Sequence, residues 1–88
     1  MKYIFRLTTK AQSDVDFFKK SGNLRILSKA LSLIDSIVET PYQGIGKPEA
    51  LKHELSGLWS RRISQEHRII YQVLENEILI HSIKGHYI

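Results

Sequence analysis

The chain has 88 residues, 42% of them apolar, and carries 13 lysines and arginines against nine acids, a formal net charge of +4. That length supports one domain, spanning 1–88, around a single thin core. The absence of cysteine excludes a disulfide framework, a thiolate metal site and a cysteine nucleophile, and apolar runs of only a few residues exclude a membrane span.

The N-terminal "MKYIFRLTTKAQ" breaks its apolar patch at Arg6 and lacks the form of a signal peptide, so a reducing cytoplasm is the expected compartment. "KYIFRL" (2–7) is rich in strand formers and reads as an opening strand. Thr9 with Gln12 three residues on forms a capping-box pattern. Ala11, Val15 and Phe18 then recur at helical spacing, predicting a helix over 10–20 that "SGN" ends. Leu27, Ala30, Leu31, Ile34, Ile37 and Val38 make one apolar stripe, which predicts a second helix from Leu24 to Glu39. Thr40-Pro41 stops it, because proline disfavours a helical residue before it.

Residues 41–58 hold both prolines and three of the five glycines, and read as a loop with one short extended or helical segment around Ala50–Leu55. "GIGKPE" within it lacks the spacing and the Ser or Thr of a phosphate loop. "WSRRIS" (59–64), "RIIYQVL" (68–74) and "ILIHSI" (78–83) read as three successive strands, the last two joined at "EN" (75–76). The expected fold is α+β, an N-terminal strand and two helices on one face of a small, mainly antiparallel twisted sheet. The other face is left for binding. Arg61 alternates with Arg62, so it points to the opposite face and reads as structural or partner-facing. Tyr71 is expected to pack, Trp59 to serve as core or as a platform, and His81 to be structural.

Positive charge concentrates between Lys47 and Arg68, where Lys52, Arg61 and Arg62 also lie. A basic surface of this kind suits polyanionic partners. Adjacent strands of a meander lie about 4.8 Å apart, so one sheet face can gather Glu49, Lys52, Arg62, Arg68 and His86. The histidines at 53, 67, 81 and 86 have no usual ligand spacing, "HELSG" is not a zincin pair, and no metal or cofactor is expected. Metal-free acid–base work on an anionic substrate fits this set best.

"GKPEALKHELSGLWSRRISQEHRIIYQV" (46–73), with "GHY" (85–87), resembles the YoeB (Txe) branch of the RelE-like bacterial toxins. The resemblance is specific in the second half of the chain and extends over the whole in length and element order. It implies the RelE-like microbial RNase fold and a ribosome-dependent endoribonuclease, an mRNA interferase cutting mRNA in the ribosomal A site. It also implies a YefM-type antitoxin as partner, contact with operator DNA only through that antitoxin, and room for a homodimer. By matching position, the catalytic set is Glu49, Arg68, His86 and Tyr87, with Lys52, His53 and Arg62 near the substrate phosphate. Gly85 departs from the pattern, since a bulkier residue is common there.

The chemistry agrees with those roles. A carboxylate at Glu49 takes the 2′-OH proton, Arg68 faces the extra charge on the phosphate, and His86 protonates the leaving oxygen. A free imidazole, with a reference pKa of about 6.5, is only about a quarter charged at pH 7. A neighbouring phosphate has to raise that fraction. Tyr87 would hydrogen-bond the phosphate or stack on a base. The alternative is a non-catalytic toxin or co-repressor on the same scaffold, gyrase-directed or operator-binding with an antitoxin, which would not need Glu49, Arg68 and His86.

Overall fold

A computed structural model describes residues 3–85. Strand β1 (Ile4–Leu7) leads into helices α1 (Thr9–Lys20) and α2 (Leu24–Glu39). Strands β2 (Glu49–Ala50), β3 (Leu58–Arg62), β4 (Arg68–Val73) and β5 (Glu77–Ser82) follow, with a short 3-10 turn at His53–Leu55. They form one five-stranded sheet in the order β1-β5-β4-β3-β2. Every neighbour pair is antiparallel except β1 and β5, which run parallel at the edge. The fold class is the expected one. Among the described residues no helix is long and apolar enough to cross a membrane.

The helices follow their sequence signals with two corrections. The N-cap of α1 is Thr8, not Thr9: its backbone is extended and its Oγ1 accepts from Ala11 N–H at 3.1 Å. Gln12 accordingly does not close a capping box but donates to Asp16 at 3.2 Å. In α2 the buried face is Ala30, Leu33, Ile34, Ile37 and Val38, while Leu31 is 57% exposed. At about 100° per residue either leucine extends the stripe. Leu33 wins because it faces the interior, whereas Leu31 lines an open apolar groove with Phe5 and Leu27.

Both helices lie on one face of the sheet. Phe18, Leu33, Ile34 and Ile37 pack in one cluster with Ile69, Tyr71, Ile78 and Ile80, and each such side chain contributes about 1.5–3 kcal/mol on full burial. Trp59 packs at the margin of this cluster, with Tyr42 at 5.0 Å between ring centroids.

The same interior holds a charge. Arg61 is fully buried. Its Nε donates to Tyr71 Oη at 3.2 Å, Nη1 to Ser36 Oγ at 2.8 Å and Ile45 O at 3.1 Å, and Nη2 to Thr40 O at 2.6 Å and Gln43 O at 3.0 Å. A guanidinium has five N–H groups, and all five are used. Tyr71 Oη in turn donates to Pro41 O at 2.6 Å; burial raises the phenol's pKa against the pull of Arg61. No basic residue occupies the last turn of α2, so Arg61 supplies the cation that a helix C-terminus favours. It also pins the loop running towards β2. Arg61 is structural.

Glycines let that loop come close. At Gly46 (φ +83°) an added Cβ would meet Leu33 Cδ2 at 2.7 Å and Arg61 Cβ at 3.2 Å. Gly46→Ala is therefore expected to lower stability by about 1–3 kcal/mol, through left-handed strain and overpacking together. Equilibrium denaturation measures it; an unchanged midpoint would refute the tight approach.

Candidate active site

Strand alternation decides what faces away from the helices. On β3, Arg61 points into the core, so Leu58, Ser60 and Arg62 point to the side away from the helices, where Ser60 is fully buried and Arg62 exposed. Glu49 on β2 pairs with Ser60, and Arg62 pairs with Arg68 on β4. Glu49, Arg62 and Arg68 thus share the open face. Arg62 lies two residues along β3 from the Glu49 row, about 6.8 Å, and each strand step adds about 4.8 Å. Long side chains from both rows can reach one phosphate between them. Two arginines directly opposite each other concentrate positive charge on this face, which suits an anionic substrate.

The loop after Glu49 shapes one wall. The pair Glu49–Ala50 forms a strand against Ser60 and Trp59 of β3, and Leu51 N–H extends the contact to Leu58 O at 2.9 Å. The expected single extended or helical segment is in fact both: β2, then the 3-10 turn. A cleft of about 450 Å³ follows residues 49–55, and Glu49, Lys52 and His53 are all in its lining. Arg62 and Arg68 are not among its described lining. His53 has φ +58°, a left-handed conformation uncommon outside glycine. Such strain gathers at functional sites, and here it turns the chain from β2 into the cleft wall.

His86 and Tyr87 lie outside the described residues. The segment before them does not hang loose, as a glycine-hinged end would. Ile83 N–H and Lys84 N–H donate to Asp14 Oδ2 at 2.8 and 3.0 Å, and Gly85 N–H donates to His67 Nδ1 at 2.9 Å. Arg68 N–H then donates to Gly85 O at 3.1 Å. The last described carbonyl therefore rests on the backbone of Arg68.

Asp14 and His67 were not among the site residues expected from sequence. Asp14 had a readable signal: it interrupts the apolar face of α1 between Ala11 and Phe18, where acids are rare. Burial pushes its pKa up, but the Ile83 amide, Lys10 and the Lys84 amide together outweigh this and hold it below the ordinary carboxylate value. The tail contact is therefore intact at neutral pH and is lost only as pH falls through that lowered pKa. His67 gave no such signal. Its ring packs edge-on against Phe18, 5.1 Å between centroids. His81, within β5, bonds Gln72 Oε1 at 3.0 Å, in keeping with a structural role.

Residues 7–87 match the family described as the YoeB-like toxin of bacterial type II toxin–antitoxin systems. The chain is 51% identical to toxin YoeB of Escherichia coli strain K12 over 63 residues, 72% of this chain and 75% of that one. In fold it resembles the YoeB dimer from Staphylococcus aureus, with a TM-score of 0.88 and 38% identity over 99% of this chain and 100% of that one. It is also similar to the toxin chain of the Staphylococcus aureus YoeB–YefM complex, with a TM-score of 0.86, 39% identity and the same coverage.

Proposed function

The chain belongs to the YoeB-like toxins of bacterial type II toxin–antitoxin systems, and from that premise we propose that it is a ribosome-dependent endoribonuclease cleaving mRNA in the ribosomal A site. The observation that carries this reading is the open-face register, with Glu49 one strand from Arg62 and Arg62 directly opposite Arg68. Glu49 takes the proton of the 2′-OH, and O2′ attacks the adjacent phosphorus. Arg68, Arg62, Lys52 and His53 hold the added negative charge of the pentacoordinate phosphate. His86 gives its proton to O5′ as that bond breaks, and Tyr87 contacts the phosphate or stacks on a base. The products are a 2′,3′-cyclic phosphate and a 5′-hydroxyl, and no metal takes part.

A YefM-type antitoxin is the partner that would hold this activity in check, and like its Staphylococcus aureus relative the chain can pair with a second copy. The test is a defined mRNA on programmed ribosomes, with 5′ ends mapped. Wild type should cut within the A-site codon, and Glu49→Gln should cut at least about 100-fold more slowly. Equal rates for the two would remove Glu49 as the base. Growth arrest without any cleavage would replace the reading with a non-catalytic toxin.

A further inference from the structure

Beyond β5 the sheet supplies no acceptor to the Ile83, Lys84 and Gly85 amides, which must find others. Three consecutive amides, at Ile83, Lys84 and Gly85, are taken by side chains: the first two by Asp14, the third by His67. Asp14 is only 4% exposed. A carboxylate placed there is tolerated because it is fully paired, with Lys10 Nζ at 2.7 Å as its counter-ion. Its Oδ2 is spent on the segment that enters His86. His67 accepts at Nδ1, which places its own ring proton on Nε2.

We propose that Asp14, assisted by His67, is a positioning residue of the catalytic site. It fixes the backbone of Ile83, Lys84 and Gly85 beside Arg68, the point from which the sequence runs on to His86 and Tyr87. This rests on the reading that those two residues act on RNA. Neither Asp14 nor His67 needs to touch the substrate. A general acid displaced by about 1 Å loses on the order of 100-fold in rate, so anchorage of the chain that carries it is worth as much as the group itself.

The competing explanation is that Asp14 merely stabilises the seam between α1 and β5. A double-mutant cycle separates the two. Single-turnover cleavage of ribosome-bound mRNA is compared for wild type, Asp14→Asn, His86→Ala and the double variant, well below their melting temperatures. Positioning predicts that Asp14→Asn lowers the rate about 10- to 100-fold at nearly unchanged KM, yet costs nothing further once His86 is gone. Equal fold losses in both backgrounds would overturn the proposal. Should Asp14→Asn fail to fold, His67→Leu, which removes the Gly85 acceptor, takes its place in the same cycle.

A second readout does not depend on RNA cleavage. The Lys84 and Gly85 amides should exchange with solvent at least about tenfold faster in Asp14→Asn than in wild type, a loss of roughly 1.4 kcal/mol of local protection. Unchanged exchange overturns the clamp. Wild type that exchanges as expected but does not cut mRNA refutes the functional reading instead.

Discussion

A chain ending at Gly85 is expected to lose cleavage of ribosome-bound mRNA altogether while keeping almost all of its stability. Among the described residues the buried core cluster is drawn from positions between Ala11 and Ile83, and a chain ending at Gly85 keeps all of those side chains. The bonds from Asp14 and His67 to Ile83, Lys84 and Gly85 also survive the deletion. What goes is the proposed general acid, worth about 10²- to 10⁴-fold, together with the aromatic contact to the substrate. Cleavage assays and thermal melts of the same preparation check this. Retained cleavage would show that the acid lies elsewhere, and a large drop in melting temperature would show that the last three residues are structural.

Arg61→Met should be the most damaging single substitution away from the site. Its side chain would replace only the aliphatic stem and leave Thr40 O, Gln43 O and Ile45 O, along with Ser36 Oγ and Tyr71 Oη, without their donor. An acceptor left unpaired where water cannot reach it costs about 1–3 kcal/mol, and the contacts here are buried at Tyr71 and partly buried at the other four. Even with partial relaxation the loss should reach about 3 kcal/mol or more, a large share of the 5–15 kcal/mol typical of a domain. For a chain of this size that lowers the melting temperature by roughly 12 °C or more. Arg61→Lys should not rescue it, because an ammonium offers three donors from a single point where the site uses a planar fork of five. Denaturant unfolding measures both variants. The loop held by Arg61 leads to Glu49, so antitoxin binding and cleavage should fall with stability.

Much of the molecule is legible one segment at a time. The bounds of α2, Leu24–Glu39, follow from a strong helical stripe and from Thr40-Pro41. The start of β4 at Arg68 and the turn at Glu75–Asn76 follow from strand formers and a break. Glu49, Lys52, Arg62 and Arg68 were nameable from their motif. Alternation set Arg61 on the face opposite Arg62 and Tyr71 as a packing residue, but left open whether Arg61 was structural or partner-facing; its full burial needed the fold.

Other features needed the whole fold. Leu33 displaces Leu31 from the core because neighbouring elements choose between two equivalent positions. β2 is too short to have a period and exists only as a partner of β3. The parallel edge pairing of β1 with β5 joins opposite ends of the chain. That Arg62 stands opposite Arg68, and that Asp14 on the first helix holds the amides of Ile83 and Lys84, are facts of register and packing. Residue types and local periodicity determine which elements form and which chemistry the chain carries, because propensity and side-chain reactivity act over a few residues. Which of those groups meet is decided only in the tertiary structure, where burying one shared core fixes the register between segments that are distant in sequence.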